Sequence, residues 1–148
     1  MIYTTLNKIR AHGPCEDGWL KLLAHVGKTR ADDVPLPLRT VLDSNGLYDC
    51  LWCLRSVPEH DREWRLFAVW CSRKVQHLMT DQRSIAALDV AERYAYGLAT
   101  ADELAVAWAA AGVAARDSAG DASWAAGAAA SEAHNVELRR ILNSGDQT

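Results

Sequence analysis

Four cysteines and five histidines are the side chains in this sequence most readily recruited for chemistry. The tightest pattern is Cys50-x-x-Cys53, followed by His60, Cys71 and His77. Zinc takes four thiolate or imidazole ligands, usually presented by paired CxxC turns. Here Cys50-Leu51-Trp52-Cys53-Leu54 lies inside a helical pattern, with Cys50 on the side of Leu47, Leu51 and Leu54. A second CxxC is missing, and no strand precedes the motif as a thioredoxin-like dithiol requires. The thiols therefore read as small apolar residues, and neither a metal nor another cofactor is expected. A metal-dependent enzyme built on Cys50, Cys53, Cys71 and His77 stands as the minor alternative. His12, His25 and His134 are scattered, and the sequence contains no HExxH, GxSxG, P-loop or GxGxxG pattern. Asp32-Asp33 and Asp102-Glu103 are adjacent carboxylates, but neighbours on a helix diverge by about 100°. They suit caps or solubility better than acid/base work. The residue types point away from catalysis.

The elements that must position these side chains are helices. Apolar residues recur at helical spacing in almost every segment, without sustained alternation of period two. The spacing predicts helices over 3–11, 16–26 and 47–55, with a short one opened by Pro37-Leu38 and closed by Asn45-Gly46. The longest is expected over 61–79, with Trp64, Phe67, Ala68, Cys71, Val75, Leu78 and Met79 as its core stripe. Asp81 or Thr80 caps the next, which Gly97 ends. Thr100 and Glu103 form a capping box for a helix with Leu104, Trp108, Ala111 and Ala115 together. After a break at Ser118 to Asp121, a last helix aligns Trp124, Ala128, Ser131, Asn135, Leu138 and Leu142. The fold class is all-α, a bundle of about seven helices with Ala-rich C-terminal helices.

Composition supports one domain in two parts. Of the 148 residues, 25 are alanine, and 21 of those fall within residues 86–133. Residues 1–97 thus supply a Trp/Leu core module, and residues 98–148 an Ala-rich helical part with high helix propensity. Net charge is −3, split as +2 over residues 1–74 and −5 over residues 75–148. Neither half has the dense cationic field that phosphate contacts require, so direct nucleic-acid binding is not expected. No run of 18 apolar residues exists, so no membrane span is expected. The N-terminus lacks the pattern of an export signal, which favours reduced thiols in a cytoplasm.

What remains is surface. Arg62, Arg65, Leu66, Trp70, Arg73 and His77 fall on the non-core face of the long helix, and Trp52 poses the same question on its own helix. Trp and Arg are the residues that most often anchor protein interfaces. The competing reading is that a neighbouring helix covers Leu66, Val69 and Trp70.

The run Asp43-Ser44-Asn45-Gly46-Leu47-Tyr48-Asp49-Cys50-Leu51-Trp52-Cys53-Leu54-Arg55, followed by Asp61-Arg62-Glu63-Trp64-Arg65-Leu66-Phe67-Ala68-Val69-Trp70-Cys71, carries a resemblance. With Asp81 to Gly97 and the Ala/Trp-rich tail, it resembles a group of small all-helical proteins encoded by phages and prophages. That group in turn is similar to helical immunity proteins found near bacterial toxin loci. The resemblance implies a non-enzymatic accessory protein acting in the host cytoplasm. Its expected partner is a host protein, such as a CRISPR effector or another defence component. A toxin-neutralising immunity protein is the alternative. The resemblance rests on caps, Leu-Trp faces and Ala tracts, and it implies no catalytic residues and no oligomeric state.

Overall fold

Thr5 fixes where the first helix begins. Its hydroxyl accepts a hydrogen bond from the Lys8 amide at 3.1 Å, leaving Leu6–Ala11 as α1. The computed structural model describes residues 1–117 and 127–144. Within them the elements are β1 (Tyr3–Thr4), α1, α2 (Glu16–His25), β2 (Leu36–Pro37), α3 (Leu38–Asn45), α4 (Leu47–Cys53), α5 (Asp61–Lys74), α6 (Gln82–Ala95), α7 (Ala101–Asp117) and α8 (Gly127–Ser144). The all-α class holds, with eight α-helices among the described residues. The exception is a two-residue antiparallel ribbon, Tyr3 opposite Pro37 and Thr4 opposite Leu36. Tyr3 and Thr4 were expected to be helical. A two-residue strand leaves no alternation to read, and the Thr5 cap starts the helix after it.

The chain forms two compact units, whose limits follow contacts rather than the change in composition near residue 97. Unit 1 is Met1–His60 with Ala129–Thr148, and unit 2 is Asp61–Ala128. In unit 1 the core holds Ile2, Leu6, Ile9, Leu22, Leu38, Val41, Cys50 and Val57, together with Leu138, Ile141 and Leu142 from α8. The last helix thus supplies three buried side chains to this core. The Ile2 amide donates to the Leu142 carbonyl at 3.0 Å, and the Ile2 carbonyl accepts from the Leu38 amide at 2.9 Å. The side-chain pair Arg139–Asp43 adds an ionic tie between α8 and α3. One polar pair is sealed inside. Ser56 donates to the Cys53 carbonyl at 2.7 Å, so the Thr4 hydroxyl supplies the proton of the 2.7 Å Thr4–Ser56 bond.

Unit 2 is built around α6. Both α5 and α7 pack on it, and Ala87 and Ala95 are buried there. The small side chains let the backbones approach. Asp81 caps α6 through the Arg83 amide at 2.8 Å, and the capping box forms as expected. The Thr100 amide donates to Glu103 at 2.7 Å and the Glu103 amide donates to the Thr100 hydroxyl at 3.2 Å. The Thr100 amide, with the Thr100 hydroxyl beside it, holds the Glu103 carboxyl below its ordinary pKa.

The core stripe of α5 needs correction. The helix ends at Lys74, with Arg73 and Lys74 in the last turn beside the open carbonyls. A separate 3₁₀ turn, Gln76–Leu78, follows, which leaves Leu78 54% exposed. Ala68 is exposed as well, and Cys71 is half-buried. The buried positions are Phe67 and Val69. The expected break at Ser118 to Asp121 and the Trp124 position lie outside the described residues.

Truncating a fully buried α8 side chain tests the closure of unit 1. Leu142→Ala should lower unfolding free energy by about 2–5 kcal/mol in urea titration, the cost of a buried leucine cavity. Val136→Ala, at an exposed α8 position, should change it by less than about 0.5 kcal/mol.

Candidate functional site

The seven candidate interface residues divide between the units. Trp52 belongs to unit 1, and the other six belong to unit 2. Arg62, Arg65, Leu66, Trp70 and Arg73 lie on α5, and His77 sits in the following 3₁₀ turn, exposed. Three of the arginines turn to α6. Arg73 bonds Asp89 at 2.6 Å and Glu92 at 2.9 Å, which raises its own pKa. Arg65 lies over the Tyr94 ring at 4.9 Å and pairs with Asp61 at 2.6 Å, while Arg62 lies over Tyr96 at 5.2 Å. Part of the face read as non-core thus turns to α6, and Val69 is buried on it. Arginine stems pack along apolar surface while their heads reach polar partners, so the arginines here link two helices. Trp70 is half-buried, stacked on Phe67 with centroids 6.3 Å apart and crossed by Lys74 at 4.9 Å. A second concavity of about 310 Å³ lies along α5, α6 and α7, walled by Trp64, Leu88, Leu104 and Trp108. Trp108, which helical spacing aligns with Leu104, is exposed at the edge of this groove while Leu104 is buried.

The better-formed site is in unit 1, where Trp52 meets residues that periodicity assigned to the core or passed over. Trp19 of α2 with Tyr48 and Trp52 of α4 wall a cavity of about 270 Å³, floored by Ile9, Leu22 and Val41. Tyr48 stands 83% exposed at its mouth. The α3–α4 junction sets this geometry. Gly46, at φ +93°, reverses the chain between the helices, a conformation that side chains with a Cβ rarely adopt. Asn45 then donates to the Gly18 carbonyl and to the Asp49 carboxylate, both at 2.8 Å, and accepts from Ser44 at 2.7 Å. Gly18 lets α2 come this close: a Cβ there would lie 2.9 Å from Asp49 Oδ2 and 3.1 Å from Cys15 Sγ. Among the cavity walls Asp49 carries the one formal charge of the described residues.

The cysteines behave in two ways. Cys50 is buried, as its helical setting implied, Cys53 is buried as well, and burial pushes both thiols up to about 12. For Cys53 the Asp49 charge adds to that shift. Metal ligation and nucleophilic attack need the thiolate, and these two hold their protons. Cys71 belongs to unit 2, and the described residues contain no group of three or more His, Cys, Asp or Glu placed to hold a metal ion. Cys15 differs from these two, because it is exposed at the N-cap of α2.

Two measurements follow. At pH 8 a thiol reagent should modify Cys15 quickly in the folded protein and reach Cys50 and Cys53 only after denaturation. Both buried thiols keep their protons in the folded state while the unfolded chain ionises above about 9. Folding stability is therefore lost as pH rises from 9 towards 12, and Cys50→Ala with Cys53→Ala should flatten that loss. Compared with known proteins, the chain matches no family model, no curated protein and no solved structure.

Proposed function

We propose that this chain is a non-catalytic protein that works by binding another protein and occupying it. The observation that carries this reading is the aromatic cavity of unit 1, with Trp19, Tyr48 and Trp52 converging on one concavity. Aromatic side chains are enriched at interface centres because a rigid ring buries a large area at small entropic cost. An 83% exposed tyrosine at the rim of such a cavity contributes little to its own fold; it suits contact with a second surface. The resemblance to small phage and prophage proteins supplies the partner class: a host protein, such as a CRISPR effector or another bacterial defence component. On this reading the chain inhibits its target by occupancy in the host cytoplasm, without a cofactor.

The test is made in cells carrying an active CRISPR defence. Expressing the chain should restore plating of a targeted phage, and the defence effector should co-purify with it. Tyr48→Ala and Trp52→Ala should each weaken that capture by roughly 30-fold, the scale of a hot spot worth about 2 kcal/mol. The melting temperature of Tyr48→Ala should stay at that of the parent. A chain that restores no plating and retains no defence component overturns the proposal.

A further inference from the structure

Asp49 gives the cavity a chemical preference. Its Oδ2 accepts the Asn45 amide, and no described residue reaches Oδ1. The charge is felt on the cavity wall, where it acts on the Cys53 thiol. An apolar side chain entering between Trp19, Tyr48 and Trp52 would strip water from that oxygen and leave one oxygen of a carboxylate without a partner, a costly outcome for a charged group. A cation entering the same space would be paired by Oδ1 and attracted by the faces of the aromatic rings. Both indoles already hold guanidinium groups of this chain: Arg10 lies over Trp19 at 5.9 Å and Arg55 over Trp52 at 4.3 Å. Neither arginine lines the cavity. Both are exposed, so their repulsion on an incoming cation is screened by salt.

We infer that the cavity receives an arginine side chain of the partner protein, its guanidinium packed against the Trp19, Tyr48 and Trp52 rings and bonded to Asp49 Oδ1. This assignment rests on the reading of the chain as a protein-binding protein and names the chemistry of the contact. Arginine fits better than lysine for two physical reasons. Its planar head stacks on rings and is weakly hydrated, whereas an ammonium is a compact, strongly hydrated point charge. The volume of about 270 Å³ also has room for the aliphatic stem as well as the head.

The experiment uses the full chain and three short peptides, identical except for a central arginine, citrulline or leucine. Citrulline keeps the shape of arginine and removes its charge. Indole N–H resonances of Trp19 and Trp52 report occupancy. The arginine peptide should shift both signals saturably and bind roughly tenfold or more tightly than the citrulline peptide. Asp49→Asn, which keeps the Asn45 contact within reach, should erase that difference. Equal binding of all three peptides, or tightest binding of leucine, overturns the arginine assignment and leaves the cavity as an apolar docking site. If no peptide moves the Trp19 and Trp52 signals, the assignment also falls. The protein-binding reading fails separately, when Tyr48→Ala protects phage as well as the parent does.

Discussion

Ile2 is the residue on which unit 1 depends. Its amide is bonded to Leu142 near one end of the chain and its carbonyl to Leu38 at the head of α3, and its side chain is buried. A strand of two residues has too few ladder bonds to persist alone. It is held because α8 closes over it with Leu138 and Leu142, both fully buried. The consequence reaches the cavity. Leu38 starts α3, α3 carries Val41 and Asn45, and Asn45 joins Gly18 of α2 to Asp49 of α4. The aromatic walls are thus set on short helices whose relative placement is fixed by side-chain hydrogen bonds and by the closing helix.

Unit 2 handles its aromatic and cationic residues differently. Arg62, Arg65 and Arg73 reach Tyr96, Tyr94, Asp89 and Glu92 across the α5–α6 seam. Exposed ion pairs of this kind contribute little individually. Here they form a row along one seam, over a buried Val69 and beside buried alanines. Arginine on an apolar helix face can therefore mean a neighbour already present in the same chain. In unit 1 Arg10 and Arg55 lie on tryptophans instead, and the one charged wall of the cavity among the described residues is anionic.

The all-α class, helix stops and caps were legible in the sequence because each has a local cause. Gly27, Gly46 and Gly97 take positive φ, Asp81 caps α6, and Thr100 pairs with Glu103. Burial of Cys50 followed from its place beside Leu47 on a helical wheel. What failed was longer in range. Periodicity carried α5 through Lys74 because the 3₁₀ turn at Gln76–Leu78 keeps a helix-like spacing while changing direction. Leu54 left the face of Leu47 for the same reason, since α4 gives way to 3₁₀ at that residue and Cys53 enters the core instead. The candidate site was legible only through Trp52. Trp19 fitted the apolar face of α2, and nothing in a helical wheel brings it to Tyr48. That meeting depends on Gly18 and Asn45, whose hydrogen bond spans 27 positions of sequence.

Native-state hydrogen exchange at the Ile2 amide tests most directly whether the closing helix holds unit 1, and with it the cavity, together. That amide should exchange only through global unfolding of unit 1, with the opening free energy of the Leu38 and Gly46 amides. Exchange of Ile2 at the rate of an unstructured peptide, with Leu38 and Gly46 still protected, would contradict the account.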